Sequence, residues 1–190
     1  MIYKNKIFSE KDVKGRDFKK NIFVSCKFLN LNFRFTSFKN CDFKLCDFSG
    51  SVFDATDFRG CGFPETKLSN LDFLEADIVA CDFAGAIVEN SIFQKFKDAS
   101  KIVRKKFSLE SSKFEGVNLA GSIFYMCGLA GVSFQKSRLE GCIFEKCDLT
   151  QADFTDADIN GVNFEDSKIN KTVLDMNGFV AFGSSKGFVL

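Results

Sequence analysis

A large apolar residue recurs at every fifth position along almost the whole chain. From Phe8 to Phe93 the interval never changes, and all eighteen of these positions are large and apolar. After a break the pattern resumes one residue out of phase at Leu109 and runs to Phe179, which adds fifteen positions. These 33 centres include 21 of the 26 phenylalanines. A period of five fits neither an α-helix nor an alternating strand, so each unit must turn a corner.

The residue two places before each centre is also selected. It is Cys, Ser, Thr, Ala or Val in 25 of the 33 units. Because positions two apart on an extended segment point the same way, both the centre and this small residue should face inward. The residue between them should face outward, and it is Asp or Asn in 14 units. Glycine follows the centre by two in nine units, where a corner requires positive φ: Gly15, Gly50, Gly60, Gly85, Gly116, Gly121, Gly131, Gly141 and Gly161.

Units such as Cys41-Asp42-Phe43-Lys44-Leu45, Cys46-Asp47-Phe48-Ser49-Gly50 and Ala152-Asp153-Phe154-Thr155-Asp156 resemble those of the pentapeptide-repeat family. The resemblance covers roughly residues 8–179. It implies an all-β fold, a right-handed quadrilateral β-helix with four pentapeptides per coil. The 33 units then predict about eight coils in a single domain over residues 1–190.

Four-sided coils predict that residues twenty apart stack. From Phe63 to Phe93, and again from Leu109 to Ile169, the centres alternate aromatic and aliphatic, which predicts phenylalanine ladders on two opposite faces. All eight cysteines occupy the inward small position, so we interpret them as buried, reduced core residues and predict no metal and no cofactor. The predicted core includes Phe28, Phe43, Phe53, Phe63, Phe73, Phe83, Phe124, Phe134, Phe144 and Phe154, together with Cys41, Cys61 and Cys81.

The domain divides into five parts on these patterns. Residues 1–21 should form a distorted first coil or cap, because Lys6, Lys11, Arg16 and Asn21 stand in the inward small position. Two coil blocks follow, and an insert separates them. The last residues should either fold over the final coil or pair with a second copy. The boundaries are 1–21, 22–93, 94–108, 109–179 and 180–190.

The insert adds eleven residues to the normal spacing. Phe96, Ala99, Val103 and Phe107 follow a helical spacing, which predicts a loop or short helix. This segment either lies on the coil or forms a partner-binding protrusion. Its cations are Lys95, Lys97, Lys101, Arg104, Lys105 and Lys106.

Several function classes are disfavoured by composition. The chain has no histidine, so a Ser-His-Asp triad or a histidine metal site is excluded. Carboxylates on a convex rod lack the apolar pocket that acid–base catalysis needs, so we expect no enzyme activity. No signal peptide or membrane span is visible, so a cytoplasmic location is expected. The net charge of +1 gives no overall attraction to nucleic acid or to a membrane.

That small total conceals blocks of opposite charge. Residues 1–45 carry a net +7, residues 46–93 a net −7, residues 94–108 a net +5, and residues 109–190 a net −4. The family resemblance implies a candidate function, because the family includes quinolone-resistance and toxin-immunity proteins that mimic duplex DNA and act on DNA gyrase. Those proteins have a C-terminal dimerisation helix, which the ending here does not suggest.

The acidic block is the candidate partner surface for a gyrase or topoisomerase, with the basic insert beside it. Its candidate residues are Asp47, Asp57, Asp72, Asp77 and Asp82. A general protein-interaction scaffold is the alternative, and a secreted effector is a third possibility. A homodimer through the C-terminal tail is also considered, whereas direct binding of nucleic acid is not expected.

Overall fold

The chain winds into a parallel β-solenoid whose coils are twenty residues long. The computed structural model describes residues 1–74, 76–94 and 107–189. On either side of the insert, paired residues are twenty positions apart, as in the register of Ile2 with Ile22. About seven complete coils stack in this way. The predicted β-helix is therefore confirmed.

Most of the regular structure consists of very short strands, because each side of a coil contributes only one pentapeptide. The strands are β1 (Ile2–Lys4), β2 (Asp17–Lys19), β3 (Ile22–Val24), β4 (Ser37–Lys39), β5 (Asp57–Arg59), β6 (Asp77–Val79), β7 (Ile92–Phe93), β8 (Phe107–Ser108), β9 (Ile123–Tyr125), β10 (Cys127–Gly128) and β11 (Ile143–Glu145). Two helices are described, α1 (Glu10–Val13) and α2 (Met176–Ser185). Isolated parallel bridges continue the stacking between the strands.

The rod has four faces. We number them in chain order, starting from the outward residue Ile22 in the second coil. Each face is a ladder of outward residues related by the coil repeat. Face 1 begins Ile22, Asp42, Gly62, Asp82; face 2 begins Lys27, Asp47, Lys67, Ile87; face 3 begins Asn32, Val52, Asp72, Ile92; and face 4 begins Ser37, Asp57, Asp77.

The interior is a set of stacked side chains, as the sequence predicted. Along face 1 the ring of Phe63 lies parallel to that of Phe83, with centroids 5.0 Å apart. Along face 3 the rings of Phe124 and Phe144 stack at 4.9 Å. Faces 2 and 4 carry the aliphatic centres in this part of the rod, among them the buried Leu139. All members of the predicted core are buried: Phe28, Phe43, Phe53, Phe63, Phe73, Phe83, Phe124, Phe134, Phe144, Phe154, Cys41, Cys61 and Cys81.

The small inward residues do more than fill space, because they donate hydrogen bonds between coils. Thr36 Oγ1 donates to the carbonyl oxygen of Val13 at 2.8 Å, and Cys61 Sγ to that of Phe38 at 3.3 Å. In both cases the acceptor is the centre residue of the preceding coil. Hydroxyl and thiol groups therefore satisfy buried carbonyl groups that would otherwise lack a second partner.

The corners adopt the left-handed conformation that the glycines predicted. All nine glycines named above have positive φ, and so do nineteen other residues among those that the structure describes. At Gly50 the close approach of a neighbour adds a second reason, because a Cβ there would lie 2.1 Å from Asn30 Oδ1.

Both ends depart from regular coils. In the first coil, residues 10–13 form the short helix α1, where Asp12 accepts hydrogen bonds from the backbone and hydroxyl of Ser9. At the other end, the prediction that Phe179 is the final centre of the repeat was wrong. Phe179 lies in helix α2 and is 65% exposed, so the repeat ends at Leu174.

The prediction that Phe107 belongs to a helical stripe in the insert was wrong. This residue is buried in strand β8, in register with Cys127, and it occupies an inward small position. Backbone pairing with β10 fixes it there. The other predicted members of the stripe, Phe96, Ala99 and Val103, lie outside the described residues.

Candidate partner-binding surface

We call residues 46–93 the acidic band. The structure does not gather its five candidate aspartates on one face. Asp82 lies on face 1, Asp47 on face 2 and Asp72 on face 3, whereas Asp57 and Asp77 share face 4. The carboxylates therefore surround the middle of the rod. A partner that contacts a single face meets only one or two of them.

Three of these aspartates also stabilise the corners. The Oδ1 atoms of Asp47, Asp72 and Asp82 each accept a hydrogen bond from the backbone N–H two residues along, at 3.0, 2.9 and 3.0 Å. This is the Asx turn that Asp and Asn favour. Asn32 makes the same contact with the N–H of Arg34 at 2.9 Å. The turn thus requires an oxygen acceptor and not a negative charge.

Asp57 and Asp77 are direct register partners on adjacent strands, as their spacing predicted. Arg59 lies beside Asp57, with its Nε 2.8 Å from Oδ1 and 2.9 Å from Oδ2. The hydrogen bond from Arg59 to this carboxylate raises the pKa of the guanidinium. Asp42 and Asp82 also lie on one ladder with Gly62 between them, as expected.

The carboxylates of Asp72 and Asp82 lie in different environments. Partial burial raises the pKa of the Asp72 carboxyl above its ordinary value. Lys113 Nζ lies 3.5 Å from Asp82 Oδ2, although both side chains are largely exposed. Such an exposed pair contributes little to stability, so the carboxylate of Asp82 stays accessible to a partner.

The basic half of the predicted surface belongs to the insert. Lys95, Lys97, Lys101, Arg104, Lys105 and Lys106 lie outside the described residues. Phe93, which precedes the insert, lies on face 3, and Phe107 lies on face 4. The insert therefore joins the rod at the corner between these two faces, at the end of the acidic band.

The cysteines lie in the core and not at the surface. All eight are buried free thiols. Burial raises the pKa of the Cys46 and Cys142 thiols to about 12. A thiol with so high a pKa is a poor nucleophile and a poor metal ligand at neutral pH. Within the described ranges, no cluster of three metal-ligating side chains occurs.

The C-terminal end holds a feature that the sequence reading missed. Helix α2 leaves a cavity of about 580 Å³ against the last coil. Its apolar lining consists of Phe164, Ile169, Leu174, Phe179 and Phe182.

Neither helix in the described part of the chain is long and apolar enough to span a lipid bilayer.

A local signal for this helix was present in the sequence. Asp175 caps it, with Oδ1 accepting from the N–H of Gly178 at 2.7 Å. An Asp followed by apolar residues at Phe179 and Phe182 is an ordinary helix start. The prediction from sequence assigned Phe179 to the repeat because this residue also falls on the fivefold pattern.

Two family profiles match the chain. One, described as pentapeptide repeats in eight copies, matches residues 26–63, and the other, a pentapeptide repeat region, matches residues 107–178. Together they span more than half of the sequence. The fold and these matches define a solenoid repeat protein, and the chain belongs to the pentapeptide-repeat family. No curated protein sequence matches it.

Two solved structures of QnrB1 have the same fold. Full-length QnrB1, a plasmid-mediated fluoroquinolone resistance protein, has 18% identity and a TM-score of 0.52, with 98% of this chain and 97% of that chain covered. A trypsin-treated variant of QnrB1 has 18% identity and a TM-score of 0.50, covering 100% and 98%. HetL from the cyanobacterium Nostoc, which is involved in heterocyst differentiation regulation, has 13% identity and a TM-score of 0.39, covering 93% and 88%.

Proposed function

We propose that this protein is a non-enzymatic binding rod. Its most specific candidate partner is DNA gyrase or a related topoisomerase, which it would engage as a mimic of duplex DNA. The consequence for the cell would be protection against a quinolone or a toxin. The distribution of carboxylates around the acidic band is the observation that carries this proposal.

Duplex DNA presents phosphates around its whole circumference. A protein that grips DNA from several sides would likewise meet carboxylates on each face of the acidic band. Asp47, Asp72 and Asp82 are held in fixed orientations by their turns. This ordering reduces the entropy that a partner would have to remove on binding.

The fold of QnrB1 supports the same proposal. That protein is a fluoroquinolone resistance protein, and its structure matches nearly the whole of this chain. At 18% identity the likeness extends to the fold. The transfer of function to this chain is our proposal.

A gyrase supercoiling assay tests the proposal directly. Purified protein is added to gyrase and relaxed plasmid, with and without a quinolone, and supercoiled product is measured. We expect the protein to inhibit supercoiling or to restore it in the presence of the drug. No effect at micromolar concentration would contradict the topoisomerase proposal and favour a scaffold for another protein partner.

The C-terminal helix favours a second component of function, a homodimer. Met176 and Phe179 on α2 are 78% and 65% exposed, next to the apolar cavity, and Phe188 beyond the helix is 74% exposed. At the same time Phe182 packs against Phe164 of the last coil, with ring centroids 6.1 Å apart. The helix therefore covers part of the coil and leaves apolar side chains for a second copy.

Light scattering after size exclusion measures this association. We expect a dimer for the wild type and a monomer for Met176→Ser/Phe179→Ser. The control is Ile7→Ser, which removes an equally exposed apolar residue at the other end of the rod. A wild-type monomer at high micromolar concentration would contradict the dimer.

A further inference from the structure

Three cations lie directly opposite one another on face 4. Lys19 pairs in register with Lys39, and Lys39 with Arg59, along strands β2, β4 and β5. Neighbouring strands are about 4.8 Å apart. Like charges in such opposed positions destabilise a sheet. The row is therefore unfavourable for folding unless something compensates it.

Within the described residues, an ion pair neutralises the cation at only one end of the row. Arg59 is bound by Asp57 at 2.8 Å. Lys19 and Lys39 have no ion pair there, and neither do Arg16 and Lys20, which flank Lys19 and are exposed. A positive potential therefore remains at this corner of the first two coils. We call Arg16, Lys19, Lys20 and Lys39 the basic corner.

An exposed aromatic ring lies across the same face. Phe35 is 66% exposed and holds a left-handed backbone conformation, with φ of 62°. The guanidinium of Arg34 lies 5.0 Å from the centre of its ring. Phe35 precedes strand β4 and Lys39 ends it, so the ring and the basic corner flank the strand. Asp17 and Ser37 lie between them and give the face a polar centre.

We propose that this face binds single-stranded nucleic acid. The basic corner contacts backbone phosphates, and an unpaired base stacks on Phe35, where Arg34 adds a further cation. Aromatic side chains beside a cationic track are how proteins hold single strands without reading their sequence. This site is separate from the acidic band and does not depend on the topoisomerase proposal.

An acidic protein segment is the competing occupant, and the surface fits it less well. Protein interfaces usually have an apolar, desolvated centre with charges at the rim. Here the centre is Asp17 and Ser37, and the large apolar ring of Phe35 stands at one edge. Nucleic-acid interfaces are polar and strongly positive, which is the arrangement found on this face.

Fluorescence anisotropy with labelled oligothymidylate of about 12 nucleotides tests the proposal, because this length suits a small single-strand site. Binding should weaken as salt rises from about 50 to about 200 mM, with a log–log slope of about −2 to −3 if three or four phosphates are contacted. Lys19→Glu/Lys39→Glu should weaken binding at least about tenfold. Lys136→Glu/Lys171→Glu, which makes the same charge change at exposed corners of the later coils, should leave it unchanged.

Phe35→Asn separates stacking from charge. Asn tolerates positive φ better than Phe, so this variant should fold at least as stably as the wild type. Loss of the ring should weaken binding of the single strand by about fivefold or more. Thermal melting of each variant verifies that it is folded.

Three results would overturn the proposal. The first is the absence of oligothymidylate binding by the wild type at low salt. The second is equally tight binding of a duplex together with no effect of Phe35→Asn, which would indicate phosphate contacts alone. The third is binding of polyglutamate in preference to the oligonucleotide, which would indicate an acidic protein partner.

Discussion

The ring of Phe93 lies parallel to that of Phe124, with centroids 4.7 Å apart and an angle of 3° between the planes. Away from the insert such partners are twenty residues apart, but here the insert lies between them. Their backbones are also register partners in β7 and β9. The aromatic ladder of face 3 therefore continues through the break, and the insert leaves the stacked core uninterrupted.

This continuity makes the core phenylalanines essential to stability on both sides of the insert. Phe144→Ala should lower the free energy of unfolding by about 3–5 kcal/mol, because it leaves a cavity between stacked rings. Phe179→Ala should cost far less, since Phe179 is 65% exposed on α2. Denaturant unfolding of both variants measures the difference. Equal losses would contradict the assignment of Phe179 to the surface.

The thiols should be protected as a group. In the native protein we expect all eight cysteines to resist a disulfide-exchange reagent, because each is buried in the core. On unfolding they should react together. The absorbance change with the reagent, in buffer and in denaturant, counts the reactive thiols. Rapid labelling of several cysteines without denaturant would refute the buried assignment.

Charge can be removed from the acidic band without removing its turns. The triple variant Asp57→Asn, Asp72→Asn, Asp77→Asn should abolish the effect on gyrase and leave the melting temperature nearly unchanged. An Asn at position 72 keeps the oxygen that accepts from Leu74, as Asn32 does in its own turn. Quinolone-supercoiling assays and thermal melts provide the two measurements.

The control replaces two aspartates of the later coils with asparagine. Asp153 and Asp158 accept from the N–H groups of Thr155 and Asn160, at 2.9 and 3.1 Å. Asp153→Asn/Asp158→Asn should therefore keep both the turns and the gyrase effect. If this control loses the effect as completely as the triple variant, total charge is responsible and the acidic band has no special role.

The N-terminal turn should be sensitive to strong acid. Hydrogen bonds from Ser9 lower the pKa of Asp12 from 3.8 to about 2. A carboxylate with a lowered pKa stabilises the fold above its ordinary pKa and loses that contribution as the pH falls through the folded value. The Ser9 amide resonance should therefore shift between about pH 4 and about pH 2, which an NMR titration follows. A midpoint near the ordinary value would show that the Ser9–Asp12 contact is absent in solution.

The candidate site was only partly predictable. The stacking of Asp57 on Asp77 followed from their spacing together with the four-sided coil that the family resemblance implied, and the register confirms it. The twenty-residue register already separates Asp47, Asp72 and Asp82 onto three faces, but the predicted surface treated residues 46–93 as one block of charge and did not use that separation. Likewise, the net +7 of residues 1–45 did not reveal that Lys19 and Lys39 stack without a counter-ion among the described residues.

The ends show the limits of a repeat pattern. Phe179 and Phe107 both have the residue type that the pattern or the helical spacing expected. Their positions were decided by other contacts: the Asp175 cap starts α2, and pairing with β10 fixes Phe107 in a strand.

The sequence by itself determined the coil, its twenty-residue register and its core. The period of five marks which positions face inward, and the resemblance to the pentapeptide-repeat family supplies the four-sided coil, so most of the large centres were expected to be buried. Only the tertiary structure decided which charged side chains form ion pairs and which cations in the described coils have none. It also decided how α2 meets the last coil. These relationships join residues from different coils, and their energies depend on direction and distance in three dimensions.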